Sequence, residues 1–397
     1  MRHSLSLFLL MLCASPVMAG SFEDGMAIVK DPVALSTKAA EAKRLFQKTV
    51  ADNPKHVNAW YNLGLLAMKA GNQEVARENW SQALKVDPGF LAAQARIAES
   101  DLTNKSLNGR AIIALNAIIE KEPFQPEARN ALTALALEVR DWEQALTHAR
   151  NVLLGDPSNA NAYLNIAVAY YRQRQYDQAF LILKQAMERV PKAASLHNIT
   201  GLIYLQRDNS RLASESFLRA IKYDPTQLDA LINLASLELS YGDFEAAEKR
   251  FKRVLESRPD DVRIIMSYAV VQRGLGRFEE AQKGYERVLE LKPDSRNVHY
   301  NLCVLHYQFT NNYTAAQTSC NTYFRSIRRG HPKFREMRRR MRSIKELLKA
   351  AAEEKAEAAK CQKACEGKAC GDDGCGGECG TCPEGEMCSE EGACAAK

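Results

Sequence analysis

Pro54-Lys55-His56-Val57-Asn58-Ala59-Trp60-Tyr61-Asn62-Leu63-Gly64, followed at set distances by Ala76, Trp80, Ala83 and Pro88, is the stretch that decides the fold. Its positions return as Tyr163, Ile166, Ala167, Tyr170, Ala179, Leu183, Ala186 and Pro191, and again as Tyr204, Ala213, Phe217, Ala220 and Pro225. Pro54, Pro88, Pro123, Pro157, Pro191, Pro225, Pro259 and Pro293 lie 34 residues apart, with one interval of 35. Each proline ends a helix, because it has no N–H to donate and disfavours helical geometry in the residue before it. A period of this length is that of a helical hairpin, so the chain reads as a stack of hairpins.

Within each unit, small residues let two antiparallel helices approach, and large residues at helical spacing fill the gaps to the next pair. On these residues the chain resembles the tetratricopeptide repeat family. The resemblance implies an all-α, right-handed solenoid of about eight repeats, beginning near Val57, Leu91, Pro126, Ala160, Ala194, Leu228, Val262 and Arg296. Asn104 to Gly109 carries an inserted turn residue, and the last repeat lacks its closing proline. Thr37 to Ala51 reads as an amino-terminal half repeat that caps the stack.

The amino terminus has the form of a secretory signal: Arg2, the apolar run Leu5 to Cys13, and Val17-Met18-Ala19 at the cleavage site. Cys13 raises lipoprotein anchoring as the alternative, but Leu12 is too bulky for the position before a lipidated cysteine. The expectation is a periplasmic or secreted chain starting near Gly20, without a transmembrane span. Ten cysteines remain after Cys13, an even number suited to pairing in an exported compartment.

Segment boundaries follow: 1–19 signal, 20–53 amino-terminal segment and capping half repeat, 54–327 repeat array, 328–360 capping and spacer helix, 361–397 cysteine-rich module. Arg325 to Lys349 holds eleven Lys or Arg against Glu336 and Glu346, a local charge of +9. Phe334, Met337, Met341, Ile344 and Leu348 recur within it at three and four residues, the stripe of an amphipathic helix laid over the end of the last repeat. Ala350 to Lys360 continues as a polar spacer. The module, with Cys361, Cys365, Cys370, Cys375, Cys379, Cys382, Cys388 and Cys394, is too small for a core and needs cross-links to be ordered. Its Cys370-Gly371-Asp372-Asp373-Gly374-Cys375-Gly376-Gly377 run resembles modules at the ends of exported myxobacterial proteins. That resemblance covers the tail alone and implies an envelope setting, with gliding motility among its uses.

No nucleophile elbow, phosphate-cradling loop or zinc-protease motif is present, so neither an enzyme nor a cofactor is expected. His299, Cys303 and His306 share one helix face, with Cys320 expected from the paired helix. A Cys303–Cys320 disulfide beside packed histidines is the favoured reading, and a tetrahedral zinc site the alternative. The groove residues expected to take a partner protein are Asn62, Asn165, Val168, Tyr171, Leu202, Leu205, Ile232, Asn233, Met266, Val270, Tyr300, Asn301, Val304 and Tyr307. Asn62, Asn165, Asn233 and Asn301 share a position from which related proteins hydrogen-bond a peptide backbone. A terminal-carboxylate clamp is not matched, since Ala92 stands where a lysine is needed beside Arg96. The expected function is an exported scaffold for partner proteins in a cell-envelope assembly. The alternative uses Arg338, Arg339, Arg340 and Arg342 on anionic lipid or polysaccharide. Nucleic acid suits the formal charge of +6 but not export.

Overall fold

The computed structural model describes residues 20–396 apart from Lys105, Glu366, residues 373–376 and Gly385, and apart from the side chains of 359–364 and 396. The expected signal segment and Cys13 lie outside the described residues. The chain divides into two compact units, one up to Leu237 and one from Glu238 onward.

The first unit opens on α1 (Ser21–Lys30) and α2 (Pro32–Asp52). The expected half repeat is therefore a full hairpin. Gly25 of α1 lies so close to the Phe46 ring of α2 that an added Cβ would sit 2.7 Å from a ring carbon. Ser21 Oγ and Thr49 Oγ1 are 2.9 Å apart across the same pair. The sequence showed only the second helix because α2 breaks at Lys38 (φ −118°, ψ 20°), leaving its periodic part after Thr37.

Repeats follow as α3 (Val57–Lys69) with α4 (Gln73–Val86), α5 (Leu91–Asp101) with α6 (Asn108–Lys121), and α7 (Pro126–Val139) with α8 (Trp142–Gly155). Next come α9 (Ala160–Arg172) with α10 (Tyr176–Arg189), and α11 (Ala194–Gln206) with α12 (Ser210–Tyr223). Then α13 (Leu228–Tyr241), which contains the boundary, precedes α14 (Phe244–Ser257). The second unit continues with α15 (Val262–Gly274), α16 (Phe278–Leu291), α17 (Arg296–Gln308), α18 (Tyr313–Arg325) and the long α19 (Phe334–Ala364). All eight repeat starts read from the sequence coincide with first-helix starts. Capping and spacer segments are one helix, which begins at Phe334 and runs past Lys360.

One contact recurs inside the hairpins. Gly64 faces Trp80, and Gly201 faces Phe217, with room for no Cβ: the added atom would lie 2.2 and 2.4 Å from the ring. Ala167 and Leu183 share one core cluster, and Ala269 and Tyr285 another. The buried alanines Ala76, Ala145, Ala179, Ala213, Ala247 and Ala281 flank this contact one turn away.

The turns are equally regular. Trp60 Nε1, Gln94 Nε2, Tyr163 Oη and His197 Nε2 each bond the carbonyl of the proline six residues earlier, at 2.9, 2.6, 3.3 and 2.8 Å. Arg129 Nε bonds Pro123 in the same way. Five different side chains thus satisfy one carbonyl that a proline-terminated helix leaves open. The turn between paired helices needs a left-handed residue, supplied by Gly71, Gly242 and Gly276 (φ 76–80°) but also by Arg140, Arg174 and Asp208.

Beyond α19, β1 (Glu386–Cys388) and β2 (Cys394–Ala396) form an antiparallel pair with Cys388 opposite Cys394. No helix among the described residues is long and apolar enough to cross a membrane.

Tyr285 stands where Phe251 and Phe217 stand in neighbouring repeats, and its buried hydroxyl has no hydrogen-bond partner. Tyr285→Phe removes an unpaired polar group at nearly constant volume, and should stabilise the protein by about 1 kcal/mol. Urea unfolding checks this; an unchanged or lowered midpoint would contradict it.

Candidate partner-binding faces

In the first unit, successive first helices touch one another: α5 with α7, α7 with α9, α9 with α11. They therefore line the inside of the curve, where a segment of a partner would lie. Val168, Tyr171, Leu202, Leu205 and Ile232 are all half-buried there. Val168, Tyr171 and Leu202 also rest on the core cluster of Tyr163, Leu183 and Leu196. Each side chain is thus anchored beneath and presented above, which limits the entropy a bound segment would cost.

The asparagines are not open. Asn165 Nδ2 donates to Asn130 Oδ1 at 3.1 Å, and Asn233 Nδ2 to Asn198 Oδ1 at 2.9 Å. Asn62 Nδ2 turns onto its own helix at Asn58 O, 2.7 Å away. In the second unit, Asn301 donates to Asn297 O at 3.0 Å and Met266 Sδ at 3.4 Å, and accepts from Arg273 Nη1 at 3.3 Å. A spacing of about one repeat brings Asn165 to Asn130, Asn233 to Asn198 and Asn301 to Met266, so these three link helices in the free protein, whereas Asn62 bonds only within its own helix. A peptide backbone would have to displace those bonds.

A polar cluster on the first three repeats went unread in the sequence. Tyr61 Oη donates to Glu127 Oε1 at 3.2 Å, and Arg96 reaches both Tyr61 Oη (3.5 Å) and Glu99 Oε2 (2.7 Å). Burial, then the Glu127 carboxylate, pushes the Tyr61 hydroxyl up to about 12. Burial opposes the charge on Arg96, but Glu99 and Tyr61 outweigh it and hold the guanidinium protonated. The only signal for this cluster was that Tyr61 and Arg96 lie 35 residues apart.

In the second unit, Met266 and Val270 are half-buried on the cluster of Ile265, Ala269 and Tyr285. The expected groove ends there. Tyr300 and Tyr307 pack under α19 with Met337 and Ile344, and Val304 is buried at 7% exposure. Lys333 Nζ lies 3.3 Å from the centre of the Tyr300 ring, and the Arg340 guanidinium lies over both rings at 5.9 and 5.5 Å. Arg340 is correspondingly no surface charge: its side chain is 9% exposed and bonds Glu336 at 2.9 Å. Arg338, Arg339 and Arg342 are exposed, as expected. The correction has one cause, the apolar stripe of α19, which covers the last repeat and takes these aromatics with it.

Cys303 and Cys320 form a disulfide with a Cα–Cα distance of 4.8 Å, both fully buried. Two of the four ligands of the zinc alternative are thus not thiolates. His299 and His306 are held below the usual imidazole range by burial, as packed neutral rings are. In the module, Cys365 pairs with Cys379, Cys370 with Cys388 and Cys382 with Cys394. The sulfurs of Cys370, Cys382 and Cys388 gather within 4.8 Å, yet all belong to disulfides and offer a metal no thiolate. The Cys361 side chain and Cys375 lie outside the described residues.

Family models for the tetratricopeptide repeat match residues 57–90, 136–203, 206–270 and 262–295. The chain is 27% identical over 218 residues to the peroxisomal targeting signal receptor of Eremothecium gossypii, covering 53% of this chain and 37% of the receptor. It is 22% identical over 184 residues to anaphase-promoting complex subunit 3 of Schizosaccharomyces pombe, 46% of this chain and 22% of that subunit. The chain spans less than two fifths of the length of these curated relatives. The solved APC/C hetero-tetramer Cut9-Hcn1 superposes with a TM-score of 0.58 at 15% identity, over 78% of this chain and 60% of that one, which shows a shared fold alone.

The disulfide stands where other hairpins have Gly64 against Trp80, so its removal leaves two small residues at a contact that needs bulk. Cys303→Ala with Cys320→Ala should lower stability by about 3 kcal/mol, seen as a lost high-temperature transition for the second unit in calorimetry. An unchanged thermogram would contradict this.

Proposed function

The array is built of tetratricopeptide repeats, and on that premise we propose that the protein is a non-enzymatic, exported scaffold that holds extended segments of partner proteins in a cell-envelope assembly. The observation that carries this reading is the row Leu164, Val168, Leu202 and Leu205: apolar, half-buried, and set along adjoining first helices. Such a row suits alternate apolar side chains of a bound segment, while the asparagine pairs supply polar groups to trade with its backbone. A receptor for a targeting signal among the relatives is consistent with capture of a short segment.

Export rests on the cysteines. A fully buried disulfide in the array and three more in a small module need an oxidising compartment to form and persist. Cleavage near Ala19 would deliver the chain there. Gliding motility rests on the Cys370–Gly377 run alone and adds no residue to this reading.

Leu202→Glu places an unpaired charge on the proposed face. Leu181→Glu places one at a site 67% exposed on α10, away from it. Cross-linked capture from the exported fraction should fall at least about tenfold for Leu202→Glu and stay unchanged for Leu181→Glu, with equal circular dichroism for both. Equal capture by the two variants would overturn the binding face. Mass spectrometry finding Cys303 and Cys320 as free thiols in the native protein would overturn export.

A further inference from the structure

Helix α19 runs on past the repeat it caps. Its first half is seated, with Met337 and Ile344 buried and Phe334, Met341 and Leu348 packed beside them. From Lys349 to Ala358 every residue is exposed. An isolated alanine-rich helix of this kind gains nothing from tertiary packing and is marginal in water. Charge runs along it in three blocks. The stripe Arg335, Arg338, Arg339, Arg342 and Lys345 is exposed and, among the described residues, makes no ion pair. Residues 350–360 are near neutral, with Glu353, Glu354 and Glu357 against Lys355 and Lys360. Cys361 to Lys397 then carries eight acids against three lysines, net −5, and Asp372, Glu378, Glu384, Glu386, Glu390 and Glu391 are all exposed.

With α19 helical from Phe334 to Ala364, the acidic module is held away from the basic stripe of its own chain. A helix rises about 1.5 Å per residue, which puts Arg342 about 35 Å from Cys365. A compact module of this size has a radius of gyration of about 8 Å and so a full width of about 20 Å, which still falls short. In a second copy the distance disappears. Two α19 helices laid antiparallel about Ala356 bring the plus, neutral, minus order of one against the minus, neutral, plus order of the other. The Arg342 region of each copy then meets the Cys370 region of its partner, and the two exposed alanine-rich segments cover each other. Such an interface is isologous and closes as a twofold pair.

We propose that the protein self-associates through this antiparallel pairing of α19, with the acidic module of each copy seated on the basic stripe of the other. The apolar stripe of α19 is already buried against its own repeat, and Leu347 is the one large apolar side chain that the described part of the helix leaves exposed, too little for the apolar face of a surface-lying membrane helix. An opposite-charge surface on a second copy uses what α19 does expose.

A charge swap tests this on the full, oxidised chain. One variant carries Arg338→Glu, Arg339→Glu and Arg342→Glu; the other carries Glu384→Lys, Glu386→Lys and Glu390→Lys. In sedimentation at about 50 mM salt the wild type should be dimeric, and it should dissociate towards about 500 mM. Each variant alone should show a dissociation constant at least about tenfold higher. Mixing the two restores opposite charge at both contacts, and should return the constant to within about threefold of wild type. Mass spectrometry of intact disulfides and matching circular dichroism confirm that both variants fold. A wild type that stays monomeric at low salt, a mixture no tighter than either variant, or a monomer that floats with anionic vesicles through the arginine stripe would each overturn the proposal.

Discussion

Everything in this molecule depends on how closely the two helices of a hairpin can approach. At most crossings one helix offers no side chain or only a methyl group, and the other fills the space with a ring or a branched chain; α7 and α8 meet instead through Thr133 and Ala149, both fully buried. Gly25 with Phe46, Gly64 with Trp80 and Gly201 with Phe217 are the tightest forms of this contact. Because each hairpin is narrow, its outer residues reach the next hairpin, and cores such as that of Tyr163, Ala167, Leu183 and Leu196 run from one repeat into the next. Stability is therefore a sum of neighbour terms, not a property of one centre. In the last repeat, which has a neighbour on one side only, the same crossing is a covalent bond between Cys303 and Cys320. There α19 takes the place of the missing hairpin, with Tyr323 and Met337 in one cluster with that disulfide.

The inner face follows from the same geometry. First helices that touch across repeats put Asn130 beside Asn165 and Asn198 beside Asn233, so polar side chains of adjoining repeats tie the stack together. Tyr61, Arg96 and Glu127 do so over three repeats. A surface that binds itself in this way is preorganised: the apolar row is held in place, and the polar groups have bonds to exchange rather than unmet needs.

Periodicity made the fold legible. A 34-residue spacing of prolines located every repeat start, and the small residue at the crossing located the paired faces. Periodicity was silent where the chain departs from it. α1 carries no proline signal and is joined to a helix with a break at Lys38, so half of the first hairpin was invisible. The pattern also tells which face a residue occupies without telling what covers that face. Tyr300, Val304 and Tyr307 sit at groove positions, yet α19 lies over both tyrosines, and Arg340 leaves the basic surface to stack on them. The asparagines were placed on the right helices, but the partners of Asn165 and Asn233 lie about one repeat away in sequence, beyond any local reading.

The most direct measurement is hydrogen exchange on Gly201→Val. A valine there must displace the Phe217 ring, since even a Cβ would stand 2.4 Å from it. If hairpin crossings carry the structure and repeats support only their neighbours, protection should fall in α11 and α12, fall less in α9, α10 and α13, and remain unchanged in α3 and α4. Uniform loss of protection along the chain, or none at α11 and α12, would contradict the account.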